Sequence, residues 1–414
     1  MTPTRPPWIL LLVVMAVTGC APCNPAPSES AGDRAPHVIL ISFDGVRADY
    51  LDRIDTPAFD RIAREGVRAD ALIPVFPTKT FPNHYSIATG MVPEKHGIVG
   101  NAFYDPELDA TYSLRDADSV GDGRFYRGEP IWVTAERQGV KAATYYWVGS
   151  EADIQGVRPS TWMPYDSRVP NDERVDTVLE WLARPAEERP RLVTLYFSEV
   201  DRAGHRHGPS APEVNAALRR MDEALGRLLD GLDPLPIRDD IDVVIVSDHG
   251  MAEHGPETAI ALDELIDLEG VRLGETGPTA SLHIEGETTR AREIRDELND
   301  ALEHGRAYLR DEIPDRLRIR GDPRIGDVLI VMDEPYLIGP AAQRPRSKGG
   351  SHGWDPASPS MHGIFFARGP TFRSGASIPA FENIHIYPLL AEILDLEPNP
   401  DIDGEPGRLR DALE

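Results

Sequence analysis

The 414-residue chain is poor in cysteine and in positive charge. Its two cysteines are Cys20 and Cys23, so it has no framework of structural disulfides and no zinc site built from thiolates. Lysine is also scarce, with four residues, and the formal net charge is -26. This surplus of carboxylates excludes a nucleic-acid polymer as partner, because phosphate backbones are bound by an excess of lysine and arginine. A small anionic ligand fits only where a metal ion supplies local positive charge.

The apolar run near the start of the chain lacks the length of a membrane-spanning helix. This run, Trp8 to Val17, is too short for a comfortable span, and it follows Arg5 as in a targeting segment. It ends in Val17-Thr18-Gly19-Cys20, which resembles a bacterial lipobox with a lipidated cysteine. We therefore expect residues 1–20 to be a lipoprotein signal peptide and residues 21–36 a flexible tether. The protein would be exported and lipid-anchored to a membrane facing the periplasm or the cell exterior, with the outer membrane favoured. The alternative is a plain signal peptide cleaved near Ala21.

Strand-like and helix-like patterns alternate through the rest of the chain. Five apolar runs have the composition of strands buried on both faces of a parallel sheet: 37–43, 141–146, 191–197, 242–247 and 363–367. Helical patterns occur at 56–65, 172–183, 211–229 and 383–394. The alternation predicts an α/β fold with a doubly wound, mostly parallel sheet sandwiched by helices, in one domain over 37–414. Residues 251–346 are less regular, with strands expected at 280–284 and 328–332 around a helix, and are predicted to be an insertion or lid.

Carboxylates and histidines stand at the ends of three of these runs and in one glycine-rich loop: Asp44, Asp201, His205, Asp248, His249 and His352. Open α/β sheets bind ligands at the carboxyl ends of their strands. The spacing of Asp201 and His205 also puts both side chains on one side of a helical turn. Six such ligands match the need of two zinc-like ions about 3.5 to 4 Å apart. Each residue could instead have an ordinary structural role, in a turn, a surface pair, a helix cap or a solvated loop. All six would need such a role at the same time, at the ends of separate strands, for the metal site to be wrong.

The segment Pro77 to Ser86 is typical of a turn that enters a helix. Pro77 stiffens the approach. Pro82 falls in the first helical turn, where an N–H would have no acceptor within the helix, so its absence costs no hydrogen bond. The Thr80 hydroxyl then stands at a helix N-terminus, which favours an alkoxide and an approaching phosphate. A threonine hydroxyl needs a base or a metal to become a nucleophile at neutral pH. By itself Thr80 would be an N-capping residue, but the predicted ligands favour a nucleophile.

These residues in this order resemble the bacterial members of the nucleotide pyrophosphatase/phosphodiesterase family, in the alkaline phosphatase superfamily. The resemblance runs from about Pro36 to the C-terminus, and Lys79-Thr80-Phe81-Pro82-Asn83-His84-Tyr85 is close to a family signature. It implies a two-zinc enzyme that hydrolyses nucleotide phosphodiester or pyrophosphate bonds through a phosphothreonine on Thr80, with net retention at phosphorus. Val200 and Val148 replace family prolines, which affects substrate fit rather than chemistry.

The resemblance also implies a role for each site residue. One Zn²⁺ would be held by Asp44, Thr80, Asp248 and His249, and the other by Asp201, His205 and His352. Asn101 would hold a phosphoryl oxygen, and Phe81 and Tyr165 would enclose the nucleobase, although both rings could instead pack in the core. His84 and His362 lie close enough in sequence to orient ligands.

Three other functions are possible, and particular residues distinguish each of them from the predicted one. Phosphate monoesterases of the superfamily add a Lys-x-Arg pair for the extra phosphate charge, and no lysine lies between Lys141 and Lys348. Sulfatases need a cysteine or serine that becomes formylglycine, which Thr80 cannot. A surface-anchored binding protein without catalysis is the third, and the full set of ligands argues against it.

Overall fold

An eight-stranded sheet organises the computed structural model, which describes residues 1–2, 4, 35–285 and 288–414. The predicted lipobox and nearly all of the tether lie outside the described residues. Among the described residues, no helix has both the length and the apolar character needed to cross a membrane.

The strands are β1 His37–Phe43, β2 Val67–Ala69, β3 Leu72–Ile73, β4 Ala102–Asp105, β5 Ala110–Ser113, β6 Ala142–Tyr145, β7 Thr161–Met163, β8 Leu192–Phe197, β9 Ile241–Val246, β10 Ala252–His254, β11 Ala259–Ala261, β12 Val271–Leu273, β13 Thr279–Ile284, β14 Gly305–Leu309, β15 Val328–Met332, β16 Leu337–Gly339, β17 Gly349–Ser351, β18 Phe365–Arg368, β19 Ala376–Ile378 and β20 Phe381–Glu382. The α-helices are α1 Pro57–Glu65, α2 Thr80–Thr89, α3 Pro93–His96, α4 Ala117–Val120, α5 Ile131–Arg137, α6 Asn171–Leu182, α7 Glu199–His207, α8 Pro212–Leu232, α9 Thr288–Ala301 and α10 Ile386–Leu394.

The central sheet has the order β19-β2-β18-β9-β1-β8-β6-β7. Strand β1 is parallel to both of its neighbours, and β8, β6 and β7 continue in the same sense. Strand β18 runs antiparallel to β9 and β2. The prediction of a doubly wound, mostly parallel sheet is therefore confirmed, with one reversed strand that its apolar run did not distinguish from the others.

The pleat of β1 divides the protein into two hydrophobic layers. Val38 and Leu40 face the layer that contains α2, α5 and α10, whereas Ile39 and Ile41 face the layer that contains α1, α6 and α8. Alternate residues of a strand point to opposite faces, so a continuous apolar run is what a sheet covered on both faces requires.

Much of the segment 251–346 forms a second, antiparallel sheet with the order β12-β13-β15-β14, on which α9 packs. Leu282 and Ile330 of this sheet and Ile294 of α9 share a separate hydrophobic cluster. Strands β13 and β15 occur where the sequence indicated them. Strand β10, which follows β9, pairs with β17 and so brings the loop after Ser351 back to the end of β9.

Candidate active site

The carboxyl ends of β9, β1 and β8 meet at one edge of the sheet, and the predicted ligands lie there. Asp44 follows β1, and its main-chain oxygen accepts a hydrogen bond from the N–H of Asp201 at the start of α7 (3.1 Å). Gly45 allows this close approach, because a Cβ at this residue would lie 2.8 Å from the Cα of Asp201. Gly45 also has φ +71°, which a side chain would disfavour. The end of β1 is therefore packed directly on the first turn of α7.

The predicted ligands form two groups. The open group is Asp201, His205 and His352, with Asp201 Oδ1 3.3 Å from His205 Nε2 and 3.7 Å from His352 Nε2. The buried group is Asp44, Thr80, Asp248 and His249. In it His249 Nε2 lies 3.5 Å from Asp44 Oδ1 and 3.0 Å from Asp248 Oδ2. Asp201 also lies close to Asp44 and His249, so the two groups adjoin, and their division between two ions stays a prediction.

All three predicted histidine ligands present the same ring nitrogen to the site. Their Nδ1 atoms lie 2.8 to 2.9 Å from main-chain carbonyl oxygens, of Gly350 for His205, Gly250 for His249 and Thr78 for His352. A carbonyl oxygen only accepts, so each Nδ1 carries a proton and each Nε2 is the ring nitrogen left to face the site. The Nε2 atoms of His205 and His352 face each other at 3.1 Å. Histidines that are held through Nδ1 by main-chain carbonyl oxygens and converge through Nε2 are typical of metal ligands.

Carboxylate oxygens of the site also lack partners. Asp44 Oδ1, Asp201 Oδ1 and Asp248 Oδ2 are buried and have no hydrogen bond. Burial and the neighbouring carboxylates of Asp248 and Asp201 raise the pKa of Asp44 well above its usual value. A buried, unpaired carboxylate is costly unless a cation compensates it. The residues therefore fit divalent cations held by oxygen and imidazole ligands.

Thr80 is the first residue of α2, as the two prolines indicated. Its Oγ1 lies 3.2 Å from His249 Nε2, so the hydroxyl is within the buried group. The side chain of Asn83 supports the approach to the helix, since its Nδ2 donates to the carbonyl oxygens of Pro77 and Lys79 and its Oδ1 accepts from the N–H of Val75. The position of Thr80 is thus fixed by contacts that Asn83, in the same helix, makes to the approaching chain.

The predicted substrate-binding residues surround this cluster. Asn101 Oδ1 accepts the N–H of Phe81 at 2.9 Å, which places the asparagine beside Thr80. Tyr165 is 47 % exposed, and its ring lies 6.2 Å from that of Tyr196. Phe81 is half-buried with its ring 6.1 Å from that of Tyr112. Within the described parts of the chain the two rings make no contact with each other, and their role with a nucleobase stays a prediction.

The two histidines expected to orient ligands have different surroundings. His84 is buried, with Nδ1 2.9 Å from the carbonyl oxygen of Thr80 and 3.4 Å from Asp248 Oδ2. The ring of His362 instead bonds to the carbonyl oxygen of Pro356 and lies outside the groups that could hold an ion among the described residues. His84 therefore supports the site directly, whereas His362 does not contact it.

Two groups at the site were not indicated by the sequence. The hydroxyl of Tyr196, on β8, donates to Asp44 Oδ2 at 2.5 Å. Glu275, in the loop between β12 and β13, pairs with the Lys79 ammonium at 2.9 Å. The position of Tyr196 within a strand that ends at the site was a possible signal, but no local pattern marks Glu275.

Comparisons with known proteins identify the family. A family model described as type I phosphodiesterase / nucleotide pyrophosphatase matches residues 38–355. The chain belongs to this family. The prediction of membership, made from the order of the site residues, is thereby confirmed.

Curated relatives in the family include enzymes from mammals and snakes. Mouse ectonucleotide pyrophosphatase/phosphodiesterase family member 1 is 36 % identical over 402 residues, which cover 94 % of this chain and 44 % of the mouse protein. The venom phosphodiesterase CdcPDE of Crotalus durissus collilineatus is 35 % identical over 403 residues, covering 95 % of this chain and 48 % of the venom protein. The chain thus spans about half the length of these relatives.

Solved structures of the family share the fold. Murine ectonucleotide pyrophosphatase/phosphodiesterase 5 has a TM-score of 0.87 and 32 % sequence identity, with 91 % of this chain and 100 % of that chain covered. A second structure of the murine protein is an inactive threonine-to-alanine variant in complex with AMP, also with a TM-score of 0.87 and 32 % identity, covering 92 % of this chain and 100 % of that chain.

Proposed function

We propose that this protein is a metal-dependent phosphodiesterase and nucleotide pyrophosphatase whose nucleophile is Thr80. The observation that carries the proposal is the position of the Thr80 hydroxyl, 3.2 Å from His249 Nε2, among buried carboxylate oxygens that have no other partner. A threonine that only capped a helix would not need carboxylates and a histidine around its hydroxyl. Membership of the family supports the same assignment.

The open and buried groups are proposed to hold one Zn²⁺ each. Asp201, His205 and His352 would bind the first ion, and the buried group, including the Thr80 hydroxyl, the second. Such ions would supply Lewis-acid chemistry, lowering the pKa of a bound hydroxyl and stabilising charge on the leaving oxygen.

The remaining steps are assigned to the chain's own groups. The Thr80 oxygen attacks phosphorus in line with the leaving oxygen and forms a phosphothreonine, which water then hydrolyses. Two displacements give net retention. The N-terminus of α2 and the Nδ2 group of Asn101 donate to the non-bridging oxygens. Since Asn101 Oδ1 is already engaged by the N–H of Phe81, its Nδ2 is the group left to face substrate.

A nucleotide is the proposed substrate. Phe81 adjoins the nucleophile, and the exposed ring of Tyr165 contacts Tyr196, whose hydroxyl binds Asp44. Stacking of a base on aromatic rings contributes about 1 to 3 kcal/mol and tolerates different bases. The AMP complex of the inactive murine variant supports a nucleotide as the substrate class.

The test is hydrolysis of p-nitrophenyl thymidine 5'-monophosphate by the zinc-loaded protein. Thr80→Ala should lower kcat by at least about 10⁴-fold, as loss of a covalent nucleophile does, while the zinc content stays unchanged. Thr80→Ser is the matched control, because it keeps a hydroxyl and should keep most of the activity. Unchanged turnover in Thr80→Ala would show that the nucleophile lies elsewhere.

Two alternatives make different predictions in the same assay. A monoesterase would prefer p-nitrophenyl phosphate over the diester in kcat/KM. A binding protein without catalysis would bind AMP and hydrolyse neither compound.

We further propose that the protein is an exported bacterial lipoprotein that scavenges nucleosides and phosphate outside the cytoplasm. The support is the resemblance of Val17-Thr18-Gly19-Cys20 to a lipobox after a short apolar run. Cys20→Ser should move the protein from the membrane fraction into the soluble fraction. Retention in the membrane fraction would exclude a lipid on Cys20.

A further inference from the structure

The carboxylate of Glu275 contacts the segment that carries Thr80. Glu275 lies in the loop between β12 and β13, and its two oxygens have different partners. Oε1 is 2.9 Å from the Lys79 ammonium, and Oε2 accepts the main-chain N–H of Asn101 at 2.8 Å. One side chain thus binds the residue before Thr80 and the residue proposed to hold the phosphoryl group.

These contacts connect both chain neighbours of the nucleophile. Lys79 precedes Thr80 and binds Glu275, whereas Phe81 follows Thr80 and donates its N–H to Asn101 Oδ1. Asn101 in turn binds Glu275 through its own N–H. Because the ammonium and the Asn101 main chain share one carboxylate, Lys79 ends beside the part of the site that receives the phosphoryl oxygens.

Lys79 has little freedom to turn away from this position. Its side chain is 4 % exposed, and Glu275 is 23 % exposed. A Cβ on Gly353, which has φ +125°, would lie 2.9 Å from Lys79 Cε, so the aliphatic stem of the lysine passes directly over this glycine. A buried ammonium needs a counter-charge, and Glu275 supplies it. The charge of Lys79 is therefore neutralised by the protein and withheld from a ligand.

We propose that Glu275 sets the preference of the site for phosphodiesters over phosphomonoesters by pairing with Lys79 and holding Asn101. The proposal rests on the proposed function. A phosphomonoester carries nearly two negative charges at neutral pH and a phosphodiester carries one. An unpaired ammonium beside Thr80 would favour the more highly charged monoester. With Lys79 neutralised, the chain's own contacts to the phosphoryl group come from neutral donors, which suit the diester.

The test compares two substrates in Glu275→Gln. The glutamine amide oxygen can still accept the Asn101 N–H, but the ion pair with Lys79 is lost. We expect the ratio of kcat/KM for p-nitrophenyl thymidine 5'-monophosphate to that for p-nitrophenyl phosphate to fall at least about tenfold, since a close charge at a partly buried site contributes energy of that order. The double variant Lys79→Met/Glu275→Gln removes the released charge and should restore the ratio. Zinc content and the thermal midpoint are measured for each variant.

Glu253→Gln is the matched control, because Glu253 pairs with Lys348 at an exposed site (3.0 Å) and its change should leave the ratio unaltered. If Glu275→Gln lowers both rates equally, or if the double variant keeps a lowered ratio, Glu275 does not set the preference. Should Glu275→Gln fail to fold, Lys79→Met alone decides: a ratio that stays at or above the wild-type value supports the proposal, and a lower ratio overturns it. Absence of diesterase activity in the wild type would instead overturn the proposed function.

Discussion

The open group and the buried group differ in how much protein surrounds them. The side chains of Asp44, Asp248 and His249 are at most 2 % exposed. In the open group His205 is 43 % and Asp201 17 % exposed, although His352 is only 5 % exposed. The nucleophile belongs to the buried group. The structure therefore encloses the residues that would activate Thr80 and leaves open the side on which the leaving group and water can exchange.

The surroundings also compensate the charges of two carboxylates, Asp44 and Asp201, to different extents. Burial and neighbouring carboxylates raise the pKa of Asp44. Burial also acts to raise the pKa of Asp201, but His205, His352 and His249 together outweigh this and lower it to about 2. The neighbouring histidines thus favour the charged form of Asp201, whereas the neighbouring carboxylates disfavour the charged form of Asp44. These two carboxylates should therefore respond in opposite directions when each is removed.

The largest expected effect is that of Asp44→Asn. Loss of a proposed metal ligand should lower kcat/KM by more than about 100-fold, which is the upper end for residues that only support ligands. In the metal-free protein the same change should raise the midpoint of urea unfolding at pH 7, because a buried carboxylate near two others is replaced by a neutral amide.

Asp201→Asn is the matched variant in the open group. It should also reduce activity, but it should lower the unfolding midpoint of the metal-free protein, because it removes the partner of His205. If the two variants shifted the midpoint of urea unfolding of the metal-free protein equally, the expected difference between Asp44 and Asp201 would be contradicted.

His205→Ala should have the next largest effect, a loss of about 100-fold in kcat at limiting zinc. Because this group is open to solvent, excess zinc should recover part of the activity by occupying the two remaining ligands. Titration of activity against zinc measures this. His207→Ala, on the same helix and exposed, is the control and should keep the wild-type zinc dependence. A loss that no zinc concentration reverses would mean that the open group does not exchange its ion.

Tyr196→Phe should cost about tenfold in kcat/KM, because the hydroxyl that orients Asp44 is removed while the ring stays. Tyr387→Phe is a suitable control, since it deletes another buried hydroxyl, bonded to Thr134 at 2.8 Å, that lies in the hydrophobic layer. Equal activity of the two variants would indicate that Tyr196 does not support the buried group.

The smallest effect concerns His96, a buried histidine whose pKa contrasts with that of His205. Burial acts to lower the pKa of His205, but Asp201 outweighs it and raises that pKa to about 9. His96 has no such carboxylate, and burial followed by Arg127 lowers its pKa from 6.5 to about 3. Its ring is neutral, since Nδ1 accepts the N–H of Ile98 and Nε2 bonds to Ser86 Oγ.

The sign for His96 follows from proton binding. Below pH 6.5 the unfolded chain binds a proton that the folded chain does not, so stability is lost as pH falls from 6.5 towards 3, by about 1.4 kcal/mol per pH unit. Urea unfolding at pH 7, 6 and 5 should show a shallower loss in His96→Gln than in the wild type. A parallel pH dependence in the two proteins would mean that His96 is protonated in the folded state.

The sequence was sufficient to bring the proposed ligands together, because parallel strands end at a common edge. Asp44, Asp201 and Asp248 each follow a buried run, so their proximity could be inferred before the topology was known. Thr80 was placed correctly because Pro82 restricts where α2 can begin. The direction of β18 was not predictable, since an apolar run carries no information on which way a strand crosses the sheet.

The segment 251–346 was harder to predict for a different reason. Its strands β10, β11, β12 and β16 have three residues each, too few to show the alternation that marks a strand. The contact of Glu275 with Lys79 joins residues almost 200 positions apart in the chain. Such a pair depends on how β12 and β13 lie against the signature segment, which no local pattern records.

The division into two groups is tested most directly by anomalous diffraction at the zinc edge from crystals of the zinc-loaded protein. The account predicts two peaks, one contacted by Asp201, His205 and His352 and the other by Asp44, Asp248 and His249, with Thr80 Oγ1 against the second. A single peak shared by all six ligands, or a second peak that Thr80 does not contact, would contradict it.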